Sequence, residues 1–325
     1  MCAYPNIKKR GGGNMSVVAI IGAGLIGRAW ALVFARAGWQ VQIYDVQPDL
    51  LKNLPAKLQA ESEILSRHQL AEDSAALLAS IQICSDLESV LAGADFVQEN
   101  GPEKLDLKKE IFAKLDRLTA PNIPIASSTS SIIASAFSEG LAGRARCLVG
   151  HPVNPPHLVP LVEICGANWT DKNILDQAYD IYAGIGQVPV RIHSEIDGFV
   201  LNRLQGALLA EALQLIEEGV ISVEDLDKTV KDGLGLRWAF MGPFETIELN
   251  APEGVSDYFS RYGPVFAKMA RSSAGAEIFA PERTQEIAAS WEGQLAPSGI
   301  AARSRWRNER LAALVRHKAE QKNKM

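Results

Sequence analysis

The amino-acid sequence predicts an α/β fold, a doubly wound and mainly parallel sheet followed by a smaller all-helical domain. Three observations carry that expectation. Residues 17–21 form a short, β-branched apolar run, the pattern of a strand buried on both faces. Glycines follow, then helical patterning over 28–37 and a second strand over 40–44, a βαβ opening that calls for a right-handed crossover. Beyond Asp197 the alternation stops, and 199–218 reads as one helix with Val200, Leu204, Leu208, Ala212 and Leu215 on a single face.

Between these landmarks the expected strands are 81–84, 96–98, 123–126 and 147–150, and the expected helices 49–70, 86–91, 105–118 and 132–140. The alternation runs to about residue 190. That places a sheet domain over 16–193 and a helical domain over 194–325, punctuated by turns at Gly233, Gly235, Gly242–Pro243 and Ala251–Pro252. Residues 1–15 hold Lys8, Lys9, Arg10 and three glycines but no apolar core, so they read as a disordered extension rather than a secretory signal, with Met15 as an alternative start.

Composition excludes several classes. A net charge of −5 argues against a general nucleic-acid binder, and no run of about 18 apolar residues is present to span a membrane. Cys2, Cys84, Cys147 and Cys165 make no metal-ligand spacing and read as reduced thiols of a cytoplasmic protein that needs no metal. The basic stretch from Arg303 to the end, with Glu309 and Glu320 interspersed, reads as a solvated terminal helix.

Gly22-Ala23-Gly24-Leu25-Ile26-Gly27 matches G-x-G-x-x-G between a strand and a helix, and Asp45 ends the next strand 21 residues after Gly24. Glycine turns are common, and the context makes this one a dinucleotide site on a Rossmann-type sheet. Gly22 permits the tight turn, Gly24 lets the backbone approach a pyrophosphate, and Gly27 lets helix and strand pack closely. The helix start at Leu25 and Ile26 faces the phosphates. Asp45 can accept from ribose hydroxyls and would repel a 2′-phosphate; no arginine follows it, so the expected cofactor is NAD.

Four segments carry polar residues where strands of the first domain end or the second begins: Ser127–Ser131, the 151–156 stretch His-Pro-Val-Asn-Pro-Pro, Glu163 among apolar neighbours, and Asn202-Arg203. Each has a plainer alternative: the serines could cap a helix, His151 could be structural and Asn202 could lie on the surface. Glu163 is harder to dismiss, since burying an unpaired charge is costly.

With these motifs, SSTSS, HPVNPP, PLVE, GFVLNRLQ, EEG, GLGLRWAF, GPFET and the terminal AAR and RWR strings, the sequence resembles the 3-hydroxyacyl-CoA dehydrogenase family from Val17 to about Lys318. The resemblance implies NAD-dependent oxidation of a secondary hydroxyl. His151 is then the general base and Glu163 its orienting partner, with Ser130 and Asn202 bonded to the substrate oxygen. Glu103, Lys108, Ser130 and Asn154 line the cofactor site. Acyl-CoA, carnitine and sugar-acid members share that machinery. Arg237 suits a free carboxylate, bidentately, which favours a small 3-hydroxy acid, L-gulonate first; its alternative is a structural salt bridge. Trp238 and Phe240 could cage a quaternary ammonium or form core. The resemblance further implies a homodimer through the helical domain. A purely structural role, as in lens relatives, remains the reading from another class.

Overall fold

The computed structural model describes residues 15–71, 73–270, 275–291 and 296–322. The N-terminal extension expected over 1–15 thus lies, but for Met15, outside the described residues. The chain forms two compact units, one running to Val200 and taking in the C-terminal residues from Ser304, the other comprising Leu201–Arg303.

The first unit runs β1 (Val17–Ile21), α1 (Leu25–Arg36), β2 (Gln40–Tyr44), α2 (Pro48–Arg67), α3 (Ser74–Ala79), β3 (Ile81–Ile83), α4 (Leu87–Leu91), β4 (Phe96–Glu99), α5 (Leu105–Leu118), β5 (Ile125–Ser127), α6 (Ala134–Ser138), β6 (Cys147–Pro152), β7 (Leu161–Gly166), α7 (Lys172–Gly184) and β8 (Val188–Arg191). The eight strands make one sheet in the order β3-β2-β1-β4-β5-β6-β7-β8. All neighbours are parallel except β6 and β7, which pair antiparallel with His151 opposite Glu163. The strand order reverses between β1 and β4, the switch point at which open α/β sheets bind ligands beyond their carboxyl ends. Both faces are covered: Val18, Ile20, Val41 and Phe96 pack into one apolar cluster, Ala19, Ile21, Val97 and Val149 into the other.

Two features of the first unit depart from the sequence reading. β7 and β8 extend the sheet beyond the strands read from periodicity. And the basic C-terminal segment is not a solvated helix: in α14 (Pro297–Lys322), Ala312 is fully buried and Leu311 and Val315 pack beside it in the core cluster of the first unit. Glu309 on the same helix accepts hydrogen bonds from Arg67 and His68 of the α2 end. The many cations occupy the remaining faces and mask this short apolar stripe.

In the second unit α8 (Phe199–Glu217), which begins in the first, leads to α9 (Val223–Lys228), a π-helical turn (Thr229–Leu234), α10 (Gly235–Trp238), α11 (Pro243–Glu248), α12 (Val255–Ala270) and α13 (Pro281–Ser290). The helical character matches the sequence reading. However, the apolar stripe of α8 is largely uncovered in the single chain: Val200, Leu204 and Leu208 are exposed, and only Ala212 is buried. No helix among the described residues is long and apolar enough to cross a membrane.

Candidate active site

The glycine turn after β1 has the geometry a dinucleotide needs. Gly22 takes φ +99°, a left-handed conformation, and a Cβ there would lie 2.7 Å from the Asn100 carbonyl oxygen. At Gly27 a Cβ would fall 1.8 Å from the Gly22 carbonyl oxygen, so only glycine lets α1 pack this close. Gly24, by contrast, has nothing within 4 Å of its Cβ position: the turn leaves open space over the start of α1. Gly24 is also the N-cap of α1, with no side chain capping the helix, so the first N–H groups at Leu25 and Ile26 stand ready for an anion. Asp45, at the end of β2, accepts from Ala23 N–H at 2.7 Å and Gln47 N–H at 2.8 Å. Each carboxylate oxygen keeps a second lone pair for a hydroxyl.

Two polar networks brace the strand ends at the switch point. On one side Ser128 Oγ accepts from Trp30 Nε1 (3.0 Å) and Gln98 Nε2 (2.8 Å) and donates to Asn100 Oδ1 (2.7 Å), while Tyr182 OH donates to Gln98 Oε1 (2.6 Å). On the other, Lys108 Nζ donates to Glu99 Oε2 (2.8 Å) and Ser127 Oγ (3.1 Å) in a fully buried cluster. Lys108 is thus turned into the interior, where it supports Glu99 and Ser127. Removing one partner of such a buried pair typically costs about 3–5 kcal/mol.

Glu103 organises the serine loop. Its Oε1 accepts from Thr129 Oγ1 (2.6 Å), Ser130 N–H (3.0 Å), Ser131 N–H (2.9 Å) and Ser131 Oγ (2.8 Å). Burial by itself would raise the Glu103 carboxyl, but the hydrogen bonds from Thr129 and Ser131, with the Lys108 charge, bring it below its ordinary value. Thr129 Oγ1 also accepts from Ile132 N–H at 2.9 Å within the loop, but α6 starts later, with Ile133 as an N-cap that no side chain caps, so the helix cap weighed for the serines is not made. Ser130 itself stays on the exposed side of the turn.

His151 and Glu163 meet across the β6–β7 hairpin, with Nδ1 2.8 Å from Oε2 and side chains 5% and 2% exposed. The other carboxylate oxygen of Glu163 accepts from Val200 N–H at 2.9 Å, at the start of α8. The Phe199 ring, fully buried, lies 5.2 Å from the His151 ring centre and is tilted 35° to it. Asn154 is exposed two residues past the end of β6, before a cis bond to Pro155. Asn202 lies on the first turn of α8, and Arg237 on α10 just after the π-helical turn. Arg237 is exposed. Sequence reasoning missed Glu99, Asn100, Phe199 and the Val200 N–H. For Glu99 and Asn100 a signal existed in the polar run that closes the apolar strand at 96–100.

Residues 17–196 match the model of the 3-hydroxyacyl-CoA dehydrogenase NAD binding domain, and residues 198–284 match that family's C-terminal domain. The chain belongs to the 3-hydroxyacyl-CoA dehydrogenase family. Lambda-crystallin of Oryctolagus cuniculus is 39% identical over 311 residues, covering 93% of this chain and 96% of that protein. An L-carnitine dehydrogenase of Streptomyces coelicolor is 38% identical and covers 84% of each chain. Among solved structures, a 5-formyl-3-hydroxy-2-methylpyridine 4-carboxylic acid 5-dehydrogenase, described as an NAD+-dependent dismutase, aligns with a TM-score of 0.82 at 29% identity, over 94% of this chain and 99% of that one. The family makes this chain an NAD-dependent oxidoreductase. Its glycine turn fits the cofactor, because the space above Gly24 and the uncapped start of α1 are what a dinucleotide phosphate requires.

Proposed function

We propose that this family member oxidises the 3-hydroxyl of a small hydroxy acid, L-gulonate to 3-dehydro-L-gulonate in first place, with His151 as general base. The observation that carries the mechanism is the buried His151–Glu163 pair, fixed on adjacent strands and braced by Val200 N–H. An ionised Glu163 can only accept, so Nδ1 carries the hydrogen and Nε2 keeps the lone pair that takes the hydroxyl proton. Glu163 then stabilises the imidazolium that forms. Bound NAD supplies the hydride acceptor; Gly22, Gly24, Leu25, Ile26, Gly27, Asp45, Glu103 and Asn154 hold it, with Lys108 as support from within. Ser130 and Asn202 bond the substrate oxygen as it becomes a carbonyl.

The substrate assignment rests on Arg237 and on the lambda-crystallin similarity along nearly the whole chain. An exposed guanidinium suits a carboxylate. A second reading, L-carnitine, draws support from the carnitine dehydrogenase relative and from Trp238 and Phe240. Core was the plainer expectation for these aromatics, yet they are 40% and 53% exposed beside Arg237. The test follows NADH at 340 nm with L-gulonate, L-carnitine, 3-hydroxybutyrate and a 3-hydroxyacyl-CoA in parallel. Gulonate turnover, with KM raised at least tenfold by Arg237→Met, is the expected result. Turnover of the CoA ester alone, or an unchanged KM, overturns the substrate assignment. No turnover of any substrate despite NAD binding favours a lens-protein-like structural role.

We further propose a homodimer through the helical unit. On α12, Phe259, Tyr262, Phe266 and Met269 recur at three- and four-residue spacing and are all 45–51% exposed, a seam suited to a second copy. Sedimentation equilibrium should give twice the 35.2 kDa chain mass. Phe266→Glu should shift the protein towards monomer, and a wild-type monomer at micromolar concentration sinks the idea.

A further inference from the structure

Phe199 has the most unusual backbone near the site. It takes φ +52°, directly after Gly198 at φ +75°. Left-handed backbone is routine for glycine, whereas a bulky side chain there is an outlier that persists only where its surroundings enforce it. Two contacts show what this turn delivers. The Phe199 ring, with no solvent exposure, lies 5.2 Å from the imidazole of His151. The next residue's N–H, that of Val200, donates to the Glu163 oxygen not engaged by His151. The left-handed turn therefore serves both members of the dyad, the imidazole through the Phe199 ring and the carboxylate through the N–H of Val200, the residue that follows it.

We infer that Phe199 is a positioning residue: its left-handed turn fixes the Glu163 carboxylate while its ring holds the His151 imidazole in plane and keeps water from the Nδ1–H···Oε2 bond. The inference rests on the reading of His151 as the base. The physical reason is rotational. Among the described residues one hydrogen bond orients the imidazole, at Nδ1, and a single bond still leaves the ring room to rock about its Cβ–Cγ bond. A buried aromatic ring 5.2 Å away and tilted 35° to the imidazole limits that rocking more than an aliphatic side chain of similar bulk. Burial also keeps the bond from exchanging with solvent, which makes it observable.

The test uses the full-length protein with NAD and reads the low-field proton resonance of His151 Nδ1–H, assigned by its loss in His151→Asn. Phe199→Leu keeps the apolar bulk and removes the ring. The expected result is a broadened or shifted resonance that exchanges at least tenfold faster with water. Alongside it, kcat should fall at least tenfold, with KM within twofold and an altered pH profile of kcat. Phe137→Leu serves as the control for general loosening. Phe137 belongs to the same apolar cluster, but its ring packs on Phe112 at 4.2 Å. It should lower the melting temperature while leaving resonance and pH profile in place. Should Phe199→Leu fail to fold, Phe199→Met provides the same comparison. A resonance unchanged in position and exchange rate in either variant overturns the inference alone. A wild-type protein lacking any resonance sensitive to His151→Asn overturns the general-base reading itself, whatever Phe199 does.

Discussion

Replacing His151 by Asn is expected to lower kcat by roughly 10²–10⁴-fold, about 3–5 kcal/mol of transition-state stabilisation, while NAD affinity stays within twofold. The two halves of that result are separable because His151 sits on β6, apart from the glycine turn that follows β1. Turnover within threefold of wild type would remove His151 from the reaction. Glu163→Gln makes a sharper companion. One oxygen of Glu163 accepts from His151 Nδ1–H and the other from Val200 N–H. A glutamine offers one acceptor in place of two, so either Val200 N–H is orphaned or the imidazole turns to the tautomer that carries hydrogen on Nε2. The first outcome costs about 1–3 kcal/mol of stability, the second removes the base. Loss of kcat without loss of melting temperature identifies the tautomer route.

The parts of this molecule legible in the sequence are those where one periodicity rules. β1 is a short apolar run and β2 alternates polar and apolar residues, while the apolar spacing of α5 starts and stops cleanly at both its ends. The elements that escaped have mixed signals. β8 carries Pro189, which argues against a strand; as the edge strand of the sheet it tolerates a missing donor. β7 has Glu163 in the middle of its apolar run, so this carboxylate itself disguised the strand that holds it. The site was legible as residue types and spacings, but not as geometry. A spacing of twelve positions from His151 to Glu163 fits many arrangements, and only the antiparallel hairpin sets them opposite each other. Nor does periodicity reveal that Lys108 turns inward. A lysine in the second turn of an amphipathic helix reads as solvated until Glu99 and Ser127 are seen waiting on the neighbouring strand ends.

The glycine turn offers the cleanest separation of folding from cofactor binding, because its glycines fail for different reasons. At Gly24 the backbone is extended, φ −67° and ψ −166°, and the Cβ position is empty to 4 Å, so valine enters without strain in the free protein. Its methyl groups then fill the space through which a phosphate reaches the α1 N–H groups. Gly24→Val is expected to weaken NAD binding at least a hundredfold, about 2.7 kcal/mol or more, with the cofactor-free melting temperature within ~2 °C of wild type. Gly27→Ala should do the opposite first. Its Cβ falls 1.8 Å from a backbone oxygen that cannot rotate away, so α1 must move off the β1 turn. Overpacking costs ~1–3 kcal/mol where side chains can adjust. Here the upper end applies, lowering the melting temperature by roughly 6–12 °C. Titration of NAD by fluorescence and a thermal scan of the same samples read both effects. If Gly24→Val binds NAD normally, the phosphates do not rest on this turn, and the open space above Gly24 needs another explanation. If Gly27→Ala melts with the wild type, the contact between α1 and the turn is looser than a 1.8 Å approach allows.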